Sequence, residues 1–150
     1  MAKAYLLATV LAAKYGASMT IQVDLLHREQ VLRAPEIVYA DELHGDWDAM
    51  APADLLGLIV VEADGAVVPI SYGFSRRYQI CSLQEQRLDQ GWQSFLGEGY
   101  REFRRMCRGL FEELVSPNQP PLFNWHERVV ARSHRLSAVG TSDSAVRSAA

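Results

Sequence analysis

The sequence predicts an α+β protein in which an antiparallel sheet of about four strands is covered on one face by C-terminal helices. Three observations lead to this fold class. Asp64-Gly65 lies between two runs of β-branched and aliphatic residues, which is typical of a β-hairpin. After Cys81 the apolar spacing changes from two residues to the 3.6 residues of a helix. Strands that precede helices, rather than alternating with them, indicate an antiparallel sheet.

The length and composition predict one domain. A chain of 150 residues can bury one hydrophobic core and is short for two domains. We therefore predict a single α+β domain over residues 1–136, followed by a flexible, small and polar C-terminal tail over residues 137–150. A hydrophobic content of 49% and a charged content of 22% exclude a disordered chain. Cys81 and Cys107 form no metal-binding pattern and are expected to be buried free thiols in a reducing cytoplasm.

The N-terminal segment is predicted to be a helix over residues 4–14, although a strand buried on both faces would give a similar pattern. Residues 1–18 also imitate a short secretory signal, with an apolar run followed by small residues near Ser18. Lys14 directly follows that run, and the run is at the short end for a signal, so we favour a cytoplasmic protein. No stretch has the roughly 18 apolar residues that a membrane span needs.

Alternating apolar and polar residues predict the strands. The first covers residues 19–25, and residues 26–50 show no clear element, although Pro35 fits the first position of a helix. The hairpin strands cover residues 57–63 and 66–74, joined by a turn in which Asp64 and Gly65 both take positive φ. Pro69 lacks an N–H, so it must lie at an edge or away from its partner. Gly73 is a plausible bulge, and the last strand covers residues 77–81.

Helical spacing dominates after residue 81. Ser82 and Glu85 have the spacing of a capping box and predict a helix start, and glycines near residues 97–99 are expected to split this helix in two. After three prolines, Asn124 and Glu127 repeat the capping pattern and open a last helix that ends near Leu136. The stripe expected to cover the sheet contains Trp92, Leu96, Phe103, Cys107, Leu110 and Leu114.

Charge is unevenly distributed along the chain. Thirteen of the 15 basic residues are arginine, which, with eighteen alanines, is typical of a GC-rich bacterial genome. Between Asp24 and Asp54, eight acidic residues stand against two arginines, although the whole chain carries only −3. The other cluster is an arginine stripe that could hold phosphate or RNA. Glutamates lie three or four positions from these arginines, so surface ion pairs account for most of them. A net negative charge makes nucleic acid an unlikely partner. The stripe contains Arg101, Arg104, Arg105 and Arg108.

The candidate binding residues lie in residues 41–48, which we name the acidic segment. Its imidazole and carboxylate side chains suit a divalent metal, but their spacing is not that of a calcium-binding loop. We therefore interpret the segment as a solvated acidic loop and predict no metal. A tryptophan in so polar a segment is typical of an aromatic anchor at a protein interface. The predicted partner-binding residues are Asp41, Glu42, His44, Asp46, Trp47 and Asp48.

The favoured hypothesis is a small soluble cytoplasmic protein that binds another protein with a basic surface, as an inhibitor, immunity protein or adaptor, without a cofactor. The alternative is a small hydrolase or nuclease. In that case His126 and Glu127 would act as general acid and base, with Arg76 or Arg77 stabilising a phosphate or carboxylate. The sequence contains neither a Gly-x-Ser-x-Gly elbow nor a glycine-rich phosphate loop, so no motif indicates a particular reaction.

Overall fold

A computed structural model describes residues 2–16, 18, 24–42 and 50–147. Within these ranges the fold is α+β, as predicted, with antiparallel strands in one three-stranded and one two-stranded sheet. The helices are α1 (Ala2–Tyr15), α2 (Arg28–Arg33), α3 (Pro52–Leu55), α4 (Leu88–Ser94), α5 (Tyr100–Leu114) and α6 (Trp125–Arg147). The strands are β1 (Leu26–His27), β2 (Ile59–Val61), β3 (Ala66–Pro69), β4 (Cys81–Ser82) and β5 (Leu122–Phe123). Short 3-10 helices occupy Pro35–Val38 and Arg76–Tyr78, and a π-helical turn, Phe95–Gly99, joins α4 to α5.

The three-stranded sheet is built on the predicted hairpin and has the strand order β2-β3-β4. The hairpin is confirmed, but its turn differs from the prediction because only Gly65 has positive φ (81°). The Gly65 N–H donates to the Glu62 carbonyl at 2.9 Å, and the Glu62 N–H donates to the Ala66 carbonyl at 2.8 Å. This is a three-residue loop in which the glycine forms a bulge, rather than a two-residue turn.

The sheet is smaller than predicted because β3 ends at Pro69 instead of near residue 74. Ile70 has a φ of 51°, so the chain turns away there, and its N–H donates to the Leu58 carbonyl at 3.0 Å. Alternation along the strand therefore places Pro69 at a non-hydrogen-bonded position, where its missing N–H costs nothing. Gly73 lies in the following turn with a φ of 73°, not in a bulge. The first two residues of the strand predicted over 77–81 belong instead to the 3-10 helix Arg76–Tyr78, and only Cys81 lies in a strand, β4.

A second sheet pairs β1 with β5, placing Leu26 opposite Phe123, and the sequence did not predict it. Most of the strand predicted over residues 19–25 falls outside the described residues. Pro35 opens a 3-10 helix at its first turn, which confirms the position expected for it. The His27 ring also begins α2, because its Nδ1 accepts the Glu29 N–H at 3.2 Å.

The predicted helix start at Ser82 is wrong, because α4 begins at Leu88. The Ser82 hydroxyl accepts the Gln84 N–H at 3.3 Å, so this serine closes a local turn instead of capping a helix. The helix is also not broken near residues 97–99. There the Tyr100 N–H donates to the carbonyl of Phe95, five residues back, and the chain continues through a π-helical turn.

The predicted apolar stripe forms the centre of the core, and all six of its members are buried. Phe103 stacks on Tyr100 with ring centroids 6.1 Å apart, and Tyr39 meets it edge-on at 5.5 Å. Phe74, from the loop after β3, contacts the same ring at 6.1 Å. This aromatic cluster ties α5 to the sheet side of the molecule, because large rings bury the most apolar surface per residue.

The last helix starts where predicted and runs further. The Asn124 side-chain oxygen accepts the Glu127 N–H at 3.1 Å, which confirms the N-cap. α6 extends to Arg147 rather than ending near Leu136, because no proline follows and an established helix propagates through small and polar residues. On its inner face the fully buried Ser133 accepts the Ser75 N–H at 3.0 Å. The flexibility predicted for residues 137–150 stays a prediction.

At the other end of the chain, α1 spans the helix predicted over residues 4–14. Leu6, Leu7 and Val10 are exposed on it. No helix within the described ranges is both long and apolar enough to cross a bilayer.

Candidate functional site

The structure describes the first two residues of the acidic segment, Asp41 and Glu42, and both lie against α5. The Asp41 carboxylate accepts a hydrogen bond from Arg104 Nη2 at 2.5 Å, and its carbonyl accepts one from the same nitrogen at 2.8 Å. Glu42 lies 3.7 Å from Arg108, one turn further along the helix. The other predicted binding residues are His44, Asp46, Trp47 and Asp48, and they lie outside the described residues.

Arg104 connects the acidic segment to the core. Its Nη1 donates to the Tyr100 hydroxyl at 3.1 Å, and that hydroxyl donates to the Leu55 carbonyl at 3.0 Å. Burial raises the pKa of Tyr100, so the phenol remains a proton donor at neutral pH. The Arg104 side chain is only 11% exposed, which makes its hydrogen bonds to Asp41 stronger than those of a solvated pair. The start of the acidic segment is therefore fixed to α5 and to the end of α3.

A pocket of 340 Å³ opens beside this junction, and we name it the acidic pocket. Three carboxylates from separate parts of the chain line it: Glu36, Asp41 and Asp54. The cation among its lining residues is Arg104, which is already bound to Asp41. Two carboxylates of the pocket thus face no lining cation, and both belong to exposed residues. The remaining lining residues are Ile37, Tyr39, Ala53, Leu55 and Gly57.

The wall of the acidic pocket is apolar and held in place from two sides. Tyr39 has a left-handed φ of 57°, and its hydroxyl accepts the Gly57 N–H at 3.1 Å. Its ring packs on Phe103, and burial raises the pKa of the hydroxyl. Ile37 lies beside it and is 42% exposed. A long basic side chain would therefore find carboxylates for its charge and an apolar surface for its stem.

Sequence reasoning missed Glu36 and Asp54 as members of one site. Both belong to the acidic stretch between residues 24 and 54, but only the local charge balance pointed to them. They meet because the Tyr39–Gly57 hydrogen bond brings the 3-10 helix Pro35–Val38 against the end of α3. The arginine stripe also differs from the prediction, because Arg104 and Arg108 pair with the acidic segment. Arg108 also pairs with Glu112 of its own helix.

The residues of the hydrolase alternative are not assembled into a site. Arg76 pairs with Glu62 and Asp64 across the hairpin loop, each at 2.7 Å. Arg77 forms a two-pronged pair with Glu102 at 3.1 and 3.2 Å, which raises the pKa of the arginine. These contacts use both cations to hold the fold together.

The histidine of that alternative lies far from these arginines. Arg77 also donates to the Leu136 carbonyl, which is about 15 Å along α6 from His126 at 1.5 Å per residue. His126 is exposed in the first turn of α6, as is Glu127, and it makes no hydrogen bond to a described residue. It lines a pocket of 260 Å³ together with Asp24, but no hydrogen bond between described atoms joins the two. Among the residues that the structure describes, no polar group is hydrogen-bonded to this imidazole to orient it.

A further pocket of 630 Å³ is mainly apolar and includes Pro52, Ile59, Leu88 and Trp92. Its two charged residues, Arg87 and Asp89, pair with each other, and this hydrogen bond lowers the pKa of the carboxyl. The thiols offer no nucleophile either, because burial raises the pKa of Cys107 and of Cys81.

Within the part of the chain that the structure describes, no group of three His, Cys, Asp or Glu side chains is arranged to hold a metal ion. No protein-family model matches this sequence, and comparisons with curated proteins and with solved structures find no significant match. The acidic pocket is therefore assessed on its own geometry. In it, three carboxylates, an apolar wall and a hydrogen-bonded backbone lie together.

Proposed function

We propose that this protein binds another protein by accepting a basic side chain of that partner in the acidic pocket. The observation that carries the proposal is the convergence of Glu36, Asp41 and Asp54 on one pocket of 340 Å³. Arg104 is already hydrogen-bonded to the Asp41 carboxylate. The carboxylates of Glu36 and Asp54 are therefore the ones that would bind the basic side chain of the partner. Complementary charge speeds encounter and disfavours acidic partners.

The chemistry of the pocket favours arginine over lysine in the partner. A guanidinium can donate to two separate carboxylates at once, whereas an ammonium acts as a compact point charge. The aliphatic stem would lie against Ile37 and Tyr39, and burying that surface adds a hydrophobic contribution. The partner's contact residue is thus an exposed arginine on a basic surface.

The rest of the acidic segment extends this surface in the proposal. It follows directly in sequence from the Asp41–Arg104 junction, so its first residue is held in place before any partner binds. We expect Trp47 to supply an aromatic anchor, and His44, Asp46 and Asp48 to surround it with polar contacts. Such a surface suits an inhibitor, immunity protein or adaptor in the cytoplasm.

The test compares charge-matched variants in a quantitative capture experiment from the native host. The double variant Glu36→Gln/Asp54→Asn should reduce recovery of the specific partner by at least about tenfold, because it removes two charge-assisted hydrogen bonds. The control Glu85→Gln/Glu98→Gln removes the same charge from exposed residues outside the pocket and should retain capture. Equal recovery with wild type and the pocket variant would exclude the acidic pocket as the binding site.

A second measurement needs no partner. Titration of the protein with N-acetylarginine amide should shift the NMR amide signals of Ile37, Tyr39 and Gly57, and N-acetyllysine amide should shift them less. Shifts spread over exposed acidic residues such as Glu85 and Glu98 would contradict a specific pocket. In parallel, Trp47→Ala/Asp46→Asn should weaken capture while leaving the fold intact. Retained capture by this variant would remove the acidic segment from the interface.

A further inference from the structure

A second charged pocket lies against another face of α5, and its cations come from three separate elements. Arg77 belongs to the 3-10 helix Arg76–Tyr78, Arg105 to α5 and Arg132 to α6. The pocket has a volume of 420 Å³, within the range of small-molecule sites. We name it the arginine pocket. Its other lining residues are Tyr78, Glu102, Met106 and Leu136.

The guanidinium groups of this pocket are only partly used by the protein itself. Arg77 is held by Glu102, and Arg132 Nη1 donates to Glu113 at 3.1 Å. The Arg132 Nε is buried and has no hydrogen-bond partner among the described residues. Arg105 is exposed and makes no hydrogen bond or ion pair to a described residue. Three arginines against two carboxylates leave a positive site in a chain whose net charge is −3.

The floor of the arginine pocket is apolar and rigid. Tyr78 and Met106 are almost completely buried, and Leu136 is half-buried beside them. The Arg77 guanidinium lies 6.0 Å from the centroid of the Tyr78 ring, so Arg77 is positioned by the ring as well as by Glu102. A ligand that combines an anionic group with an apolar body would therefore match both parts of the pocket.

We propose that the arginine pocket binds a small organic phosphate. Its phosphoryl group would lie between Arg105 and Arg132, and its apolar body over Tyr78 and Met106. A phosphate monoester carries up to two negative charges on three acceptor oxygens, so it can engage two guanidinium groups at once. A carboxylate carries one charge and would satisfy one of them. The pocket shares no lining residue with the acidic pocket, so this site is separate from the proposed protein-binding surface.

The test is a calorimetric and NMR titration of the intact protein with four probes: phenyl phosphate, inorganic phosphate, phenol and benzoate. Phenyl phosphate should bind most tightly and shift the amide signals of Tyr78, Met106 and Leu136. Inorganic phosphate should bind the same residues more weakly, because it lacks the apolar body, and phenol should cause no saturable shift. The absence of saturable binding by phenyl phosphate, or equal binding of benzoate, would overturn the proposal.

Two variants locate the site. Arg105→Gln should weaken phenyl phosphate binding about tenfold, because one charge-assisted contact is lost while the fold keeps its ion pairs. Arg108→Gln is the matched control, since it removes the same charge from α5 near Glu42 instead of from the pocket, and it should leave the affinity unchanged. An equal loss in both variants would show nonspecific attraction and overturn the assignment. Unchanged affinity in Arg105→Gln would do the same.

Discussion

Arg104 and Arg105 are adjacent in the sequence but lie in opposite environments. Arg104 is mostly buried and binds Asp41 and the Tyr100 hydroxyl, whereas Arg105 is exposed beside the arginine pocket. Consecutive residues of a helix point about 100° apart, so the two side chains serve different faces of α5. Arg104 thus stabilises the fold, whereas Arg105 is available to bind a ligand. A cluster of like charges in a sequence therefore does not have one function.

The core residues of α5 separate the two pockets. Phe103, Cys107 and Leu110 are fully buried between them, and the aromatic cluster around Phe103 holds this wall in place. Because the pockets share no lining residue, a substitution in one should leave ligand binding in the other unchanged.

The largest difference is expected between Arg104→Met and Arg105→Met. Arg104→Met should lower the free energy of unfolding by about 2–3 kcal/mol, because Asp41 and Tyr100 lose hydrogen bonds to a poorly solvated charge. Arg105→Met should change it by less than about 0.5 kcal/mol, as exposed substitutions usually do. Urea unfolding followed by circular dichroism measures both. A comparable loss in the two variants would contradict the division of roles.

Alkaline pH is expected to destabilise the core around α5, to which Cys107 and Tyr100 belong. Burial raises the pKa of Cys107 and of Tyr100, so the folded protein keeps these protons at a pH at which the unfolded chain releases them. Stability from these groups is present below the unfolded-chain pKa values of 9.0 and 10.0 and is lost as pH rises above them. Each released proton adds a slope of up to about 1.4 kcal/mol per pH unit.

Free energies of unfolding measured from pH 7 to pH 11 test this expectation. Cys107→Ala should show a shallower decline than wild type above pH 9, because it cannot release the thiol proton. Its stability at pH 7 is lower for a separate reason, the cavity left by the sulfur, so the slopes and not the absolute values are compared. A profile that stays flat to pH 11 would contradict the role assigned to burial.

Glu102→Gln should have a smaller effect on stability and an opposite effect on ligand binding. The Arg77–Glu102 pair is two-pronged but partly exposed, so its loss should cost about 0.5–1 kcal/mol. The same change removes a negative charge from the arginine pocket and frees Arg77, so phenyl phosphate should bind more tightly. Calorimetric titration of wild type and Glu102→Gln with phenyl phosphate, at low and high salt, measures the change in binding, and urea unfolding measures the change in stability. Weaker phosphate binding in Glu102→Gln would argue against an anion site.

The smallest effect is expected for Arg108→Gln. Arg108 is 51% exposed and lies 3.7 Å from Glu42 and 3.6 Å from Glu112, which are long distances for ion pairs in water. Its replacement should change the free energy of unfolding by less than about 0.5 kcal/mol. A loss as large as that of Arg104→Met, measured by the same urea unfolding, would mean that Glu42 anchors the acidic segment as strongly as Asp41 does.

Elements set by nearby residues were predictable from the sequence. The β2–β3 hairpin, the buried stripe of α5 and the Asn124 cap depend on patterns within a few positions of each other. The end of β3 was not predictable in this way, because the positive φ of Ile70 is imposed by its surroundings and not favoured by isoleucine. The pairing of Leu26 with Phe123 joins distant parts of the chain, so no local sequence pattern predicts it.

The candidate site was predictable only in its charge. The excess of acidic residues between Asp24 and Asp54 indicated a negative surface, and Glu36, Asp41 and Asp54 all come from that stretch. Their convergence depends on Tyr39 contacting both Gly57 and Phe103, which is a tertiary arrangement. The arginine pocket was hidden for the same reason, because its three cations are separated by tens of residues.

The π-helical turn before α5 gives this helix one residue more than a regular helix would need. Tyr100 bonds to Phe95 across five positions, and Gly99 has no side chain where the Phe95 ring passes, since a Cβ there would lie 2.6 Å from it. A Cβ added to Gly97 would have no described atom within 4 Å. Removing Gly97 would restore the regular repeat and leave every later residue of α5 on its present face. A deletion between Tyr100 and Arg104 would instead turn Arg105 to the face that now carries Arg104, and Arg104 to the buried face that now carries Phe103. The π-helical turn is thus a place where the helix can lose a residue without altering which pocket each arginine serves.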